Sequence, residues 1–152
     1  MNPETNKPSQ SLTSSQSSGI SERTGKCLPP YLVWKALLGF LAFDVLGCGS
    51  HFSTMHRLVS KWRVAPRSAP IGEVDQVCEA INRACVWYPK RVQCLQRSAV
   101  TTCLLRTCGV EARMVMGAQN LPFKAHAWTE VNGRAINERR NVQAIYSVWE
   151  RC

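Results

Sequence analysis

The segment from residue 93 to residue 138 constrains the fold most strongly, because it joins one helical pattern to several strand patterns. The helical pattern begins near Gln93 and stops at Gly109, a residue type that commonly ends helices. A helix followed by an antiparallel meander predicts an α+β fold, with a helical layer packed on one face of a small antiparallel sheet. The predicted buried stripe of the helix is Leu95, Ala99, Val100, Cys103 and Leu104. The strand patterns occupy residues 110–116, 125–131 and 134–138, with a loop at 117–124.

The part of the chain that precedes this segment divides into a polar start and an apolar region. Residues 1–26 have almost no apolar side chains, which predicts a disordered tail. Residues 27–70 form an apolar helical segment whose main helix spans residues 31–46. Because this helix is short for a bilayer span and contains Lys35 and Asp44, we expect it to pack on the domain, on a partner or at the inner face of a membrane. Further helices are predicted at residues 51–62 and 72–86.

The composition limits the classes of function. A chain of 152 residues with 45% hydrophobic residues holds one domain and a tail. The net charge of +9 favours anionic partners, but the longest basic block is Arg139-Arg140, so we expect no nucleic-acid binding. The eight cysteines form no C-x-x-C pair, neither His51 nor His56 lies at a zinc-like spacing from them, and the polar start is not a signal peptide. These features predict reduced cysteines in a cytoplasmic protein, without a metal or a cofactor.

Three residues of the segment could form a nucleophile, its base and an orienting acid. Cys94 lies on the first turn of the predicted helix, where the helix dipole and the nearby Lys90 and Arg91 favour a low thiol pKa. His126 lies in the second strand pattern and Glu138 in the third. A thiol, an imidazole and a carboxylate in this order can perform nucleophilic catalysis if the fold brings them together.

The register of the hairpin decides whether the histidine can reach the acid. A two-residue type I′ turn at Asn132-Gly133 would pair Val131 with Arg134 and point His126 and Glu138 to opposite faces. A three-residue loop with a bulge at Gly133 would pair residue 130 with residue 134, and would place the two side chains directly opposite each other. We predict the bulged loop, and the functional hypothesis rather than turn propensity motivates this choice.

An ordered set of short motifs resembles the lasso-peptide leader peptidases, which are transglutaminase-like cysteine proteases. The resemblance covers roughly residues 72–140. The ordered combination is fairly specific, whereas each piece alone is weak. The motifs are Cys94-Leu95-x-Arg97-Ser98, Gly109-Val110-x-Ala112-Arg113-x-Val115-x-Gly117, Pro122-Phe123-x-Ala125-His126-Ala127-Trp128, Asn132-Gly133-Arg134 and Asn137-Glu138.

The resemblance implies a site, a fold and partners. It implies a triad of Cys94, His126 and Glu138, with glutamate where the family usually has aspartate, in a transglutaminase/papain-like core at residues 71–152. It also implies a precursor (leader) peptide as substrate, and an ATP-dependent macrolactam synthetase as partner. No leader-recognition module is evident in the first third of this sequence, so a separate leader-recognition protein is expected as well.

Several alternatives stay open at this level. The backbone N–H of Cys94 is the expected oxyanion donor and Gln93 is a candidate second donor, while Trp128 could shield the site or simply pack in the core. The same acyl-enzyme could pass its acyl group to an amine, as in transglutaminases. A non-catalytic scaffold that binds a precursor peptide or a partner enzyme is the alternative from a different class.

Overall fold

The computed structural model describes residues 28–47, 52–66, 72–138 and 142–152. The predicted disordered tail at residues 1–26 lies outside the described residues. The predicted helices at 31–46, 51–62 and 72–86 are confirmed, with shifts of one or two residues at their ends. The helices are α1 Pro30–Gly47, α2 Phe52–Lys61, α3 Glu73–Trp87, α4 Cys94–Thr107 and α5 Val142–Ile145. The strands are β1 Ala112–Asn120, β2 Phe123–Val131, β3 Arg134–Ile136 and β4 Ser147–Arg151.

Helix α1 packs into the same hydrophobic core as α3 and α4. Its inward face is fully buried, whereas its outward face leaves large apolar side chains in solvent. No helix among the described residues is long and apolar enough to cross a bilayer. The inward face consists of Leu32, Ala36, Phe40 and Phe43, and the outward face of Tyr31, Trp34, Leu38, Leu41 and Val45.

Helix α4 is the centre of the fold. The apolar stripe predicted on one side of α4 accounts for only part of its buried surface, because nearly every residue from Gln96 to Arg106 is buried. Helices α1 and α3 cover one side of α4, and β1 and β2 cover the other. The polar residues of α4 that lie outside the predicted apolar stripe are therefore buried as well. The predicted stop is confirmed at Gly109, which has a φ of 85° and follows carbonyls that are capped by the N–H groups of Cys108 and Val110.

The four-stranded sheet is antiparallel in the order β3-β2-β1-β4, which gives the protein an α+β architecture. Two strand predictions need correction. The loop predicted at 117–124 is wrong, since β1 and β2 stay paired as far as Asn120 and Phe123 and turn through Leu121 and Pro122 alone. Strand β4 has no counterpart among the predicted elements. It pairs with β1 on the edge opposite β2, with an irregularity at Met116/Gly117.

The two faces of the sheet have different coverings. Met114, Met116 and Ala127 join the main core beneath α4. Val115 and Trp128 point the other way and form a smaller cluster with Val142 from α5. Because side chains alternate along β2, His126 shares the face of Trp128, so the histidine lies on the side of the sheet remote from the main core.

Candidate active site

The thiol of Cys94 lies at the first position of α4, directly after the extended N-cap residue Gln93. It is half-buried, and the neighbouring His126 side chain, together with the backbone of Ala127 and Leu95, lowers the pKa of the thiol. The helix start therefore lies against β2 at the position that carries the histidine.

The short third strand makes room for this approach. Strand β3 pairs only with residues 129–131 of β2, so the part of β2 that carries His126 has no strand beside it on that edge. Helix α4 lies against this part of β2 and supplies hydrogen-bond partners. The Ser98 hydroxyl donates to the Ala127 carbonyl at 2.9 Å, and the Thr129 hydroxyl donates to the Ser98 carbonyl at 3.2 Å. These buried bonds fix α4, and with it Cys94, in register with β2.

The predicted hairpin register is wrong. Val131 pairs with Arg134 around a two-residue turn in which Asn132 has a φ of 52° and Gly133 a φ of 74°. Both positive angles are those of a type I′ turn, which Asn-Gly strongly favours because its twist matches that of the strands. The turn propensity therefore decided the register, contrary to our functional argument.

The histidine and the acid nevertheless meet. His126 Nε2 lies 3.2 Å from Glu138 Oε2, and both side chains are largely buried. Strand β3 ends at Ile136, and Asn137 adopts a left-handed φ of 54°. The strand alternation therefore no longer determines where Glu138 points. The strand predicted at residues 134–138 is therefore wrong beyond Ile136, since no pattern in the sequence marks this turn.

Aromatic rings surround the imidazole. The ring of Tyr146 has its centroid 5.2 Å from that of His126, and Trp128 stacks at 6.3 Å with 21° between the planes. Trp128 is fully buried, so it packs in the core and contacts the histidine at the same time. Gly117, opposite His126, allows this packing, since a Cβ there would lie 2.8 Å from the Ser147 carbonyl oxygen. No motif in the sequence pointed to Tyr146.

The electrostatics distinguish Cys94 from the structural cysteines. The hydrogen bond to His126 is the largest cause that lowers the pKa of Cys94, and it outweighs burial. The predicted direction is confirmed, but Lys90, which was expected to contribute, lies with its Nζ 3.2 Å from Asp44 Oδ2. Burial raises the pKa of Cys78 to about 11 and that of Cys103 to about 12. Cys94 is thus the better nucleophile.

The histidine shows the complementary shift. The bond to Cys94, followed by the bond to Glu138, raises the pKa of His126 to about 9. The pKa of the thiol is lowered and that of the imidazole is raised, and both shifts favour a thiolate–imidazolium pair. The arrangement can therefore attack a carbonyl carbon and protonate a leaving group without an external base.

A cleft of about 710 Å³ opens beside His126, and Cys94 is not among the residues that line it. His126, Glu138 and Tyr146 line it, together with Arg97 and Asn82. Within the described part of the chain, no group of three His, Cys, Asp or Glu side chains could hold a metal ion. Free thiols among the same residues include Cys78, Cys85, Cys94, Cys103 and Cys152.

Two comparisons with known proteins found a match for this chain. Residues 42–150 match the family model of the transglutaminase-like superfamily, a span that includes the cysteine, the histidine and the acid. The microcin J25-processing protein McjB of Escherichia coli is 34% identical over 55 residues. That match covers 36% of this chain and 26% of McjB, so it spans about a quarter of the relative's length. No solved structure matches the chain.

Proposed function

The chain belongs to the transglutaminase-like superfamily, and from this premise we propose that it is a cysteine peptidase that removes the leader from a lasso-type precursor peptide. The observation that carries the proposal is the 3.2 Å contact between His126 and Glu138, together with the effect of His126 in lowering the pKa of the Cys94 thiol. The similarity to a protein named for microcin J25 processing supports a peptide substrate.

In the proposed mechanism, the Cys94 thiolate attacks the carbonyl carbon of the scissile peptide bond. The His126 imidazolium then gives its proton to the leaving amine and afterwards removes one from the water that hydrolyses the thioester. Glu138 faces Nε2 of the ring, which leaves Nδ1 for the sulfur, and holds the ring in this orientation. The backbone N–H of Cys94 is our proposed oxyanion donor, with Gln93 as a candidate second donor.

Other proteins complete the proposed reaction. We expect a leader-recognition protein to deliver the precursor and an ATP-dependent macrolactam synthetase to close the ring of the product. The outward face of α1, exposed and apolar from Tyr31 to Val45, is the surface we expect such a partner to use. We therefore expect cleavage by this chain alone to be slow, and the recognition protein to accelerate it.

The deciding experiment replaces the nucleophile. The purified chain is incubated with the precursor peptide and the two partner proteins, and the products are followed by mass spectrometry. Cys94→Ser should reduce cleavage by at least about 10³-fold, because the hydroxyl is a far weaker nucleophile than the thiolate. Cys85→Ser is the matched control, because burial raises the pKa of that thiol, and it should cleave normally. If the Cys94 variant still cleaves the precursor, the peptidase assignment is wrong. The chain would then be a non-catalytic scaffold that binds the precursor peptide or a partner enzyme.

Membership of the superfamily also favours a second candidate, acyl transfer to an amine. The two reactions share every step up to the thioester and differ in what attacks it. In the same assay, hydrolysis releases a leader whose carboxyl end has gained water. Transfer would instead release a leader whose mass includes an added amine.

A further inference from the structure

Arg97 connects the helix of the nucleophile to the segment that carries the acid. It lies three residues after Cys94, so the two share a face of α4. Its Nη2 donates a 3.2 Å hydrogen bond to the backbone oxygen of Asn137, which directly precedes Glu138. The same nitrogen donates to Oδ1 of Asn82 on α3 at 2.9 Å. One guanidinium thus joins α3, α4 and the end of β3.

The residue that Arg97 holds is the one that redirects the acid. Asn137 has a φ of 54°, a left-handed conformation that side-chain-bearing residues adopt infrequently. If the chain continued as a strand past Ile136, Glu138 would share the face of Ala127 and point away from His126. The contact of 3.2 Å therefore depends on this single turn.

Packing alone does not explain an arginine at this position. Its Nε is buried and has no hydrogen-bond partner among the described residues. A buried donor without a partner is unfavourable, and an apolar side chain of similar length would avoid that penalty. The bonds from Nη2 are what the arginine contributes, and one of them ends on the turn before the acid.

We propose that Arg97 is a positioning residue, which holds the turn at Asn137 so that Glu138 stays against the imidazole of His126. The inference rests on the proposed catalytic triad. In the sequence, Arg97 is notable only as part of the Cys94-Leu95-x-Arg97-Ser98 motif. In this role, the arginine acts through the acid and does not touch the substrate.

The test measures the protonation of His126 directly. The chain has only three histidines, so long-range ¹H–¹⁵N NMR spectra can follow each imidazole through a pH titration. The wild-type pKa of His126 is expected at about 9. Arg97→Met should lower it by about one unit, because the carboxylate then leaves hydrogen-bond distance. Arg97→Lys, which keeps one donor, should lower it less.

A double-mutant cycle separates positioning from general destabilisation. Glu138→Gln removes the charge of the acid and should lower the pKa of His126 by a similar amount. If Arg97 acts through Glu138, then Arg97→Met should add little further shift in the Glu138→Gln background. Arg83→Met is the matched control, because Arg83 is exposed and its ion pair within the described part of the chain is with Glu79 one turn away; it should leave the pKa of His126 unchanged.

The outcomes distinguish this inference from the proposed function. Normal titration of His126 in Arg97→Met, alongside a shift in Glu138→Gln, overturns the positioning role and leaves the triad standing. Fully additive shifts also overturn it. If neither variant shifts the titration, both the positioning role and the triad are wrong. If Arg97→Met does not fold, Asn82→Ala, which removes the second acceptor of the guanidinium, replaces it and should shift the pKa in the same direction.

Discussion

At the scale of single residues, the candidate acid has one methylene group more than the residue that the resemblance to the leader peptidases implies. That resemblance implies aspartate, whereas this chain has Glu138, whose Oε2 lies 3.2 Å from His126 Nε2. The backbone of this chain turns before Glu138, at Asn137, and the glutamate side chain reaches the imidazole from there. The residue type and the local backbone therefore form one unit, and a change in either alters the contact.

This dependence predicts that aspartate at position 138 would weaken the contact with His126. Glu138→Asp shortens the side chain by about 1.5 Å and should open the contact with Nε2. The pKa of His126, raised to about 9 by its two partners, then falls. Cleavage requires the protonated ring, so the alkaline limb of the pH–rate profile should move to lower pH, and for a fall of about one pKa unit kcat/KM near pH 8.5 should fall by about threefold. A profile that matches the wild type would show that glutamate and aspartate position the ring equally well.

At the scale of helices and strands, the sequence was informative where periodicity or local backbone chemistry decides the structure. The helix boundary at Gly109 and the hairpin at Asn132-Gly133 depend on glycine and asparagine, whose preferences are local. Our register prediction was wrong because it followed a hypothesis about His126 instead of that local preference. Strand β4 had no comparable signal, since it is five residues long and alternates only partly buried with exposed side chains.

The nearness of Cys94, His126 and Glu138 could be inferred from the motif order, but the means of bringing them together could not. The approach of α4 to β2 depends on β3 being only three residues long. The orientation of Glu138 depends on a left-handed Asn137. Both are tertiary features, because a strand pattern over residues 134–138 reads equally well as one continuous element.

Helices α1 and α4 pack closely at Gly39, where no side chain separates them. A Cβ at Gly39 would lie 2.8 Å from Val100 Cγ1, so Gly39→Ala should separate the two helices despite the better helix propensity of alanine. We expect the free energy of unfolding to fall by about 1–3 kcal/mol, measured by urea denaturation. In a Val100→Ala background the clash is absent, and the same change should be neutral or stabilising. Equal effects in both backgrounds would contradict the packing argument.

At the scale of the whole molecule, one buried cation joins parts that the hydrophobic core connects only weakly. Arg106 on α4 is almost fully buried and donates from Nε to the Ala112 carbonyl at 2.8 Å. Its Nη1 donates to the carbonyls of Val59 and Trp62 at 2.6 and 3.1 Å. Those carbonyls lie at the C-terminal end of α2, where a cation also interacts favourably with the helix dipole. Among the described residues of α2, only Val59 is fully buried. We therefore expect the Arg106 guanidinium to hold much of α2 against the rest of the fold.

Arg106→Met should therefore release α2 without dismantling the site. Methionine fills part of the volume but leaves three carbonyls without their donor, and each lost bond to a charged group is worth about 1.5–3 kcal/mol before water replaces it. We expect the free energy of unfolding to fall by about 2–5 kcal/mol, with amide hydrogen exchange accelerated first in α2.

Arg113→Met, at an exposed pair with Glu111, is the control and should change stability by less than about 0.5 kcal/mol. Since α2 contributes no side chain to the contacts among Cys94, His126 and Glu138, the folded variant should keep the pKa of His126 near 9. Unchanged protection of α2 would mean that packing around Val59, rather than the guanidinium, holds the helix.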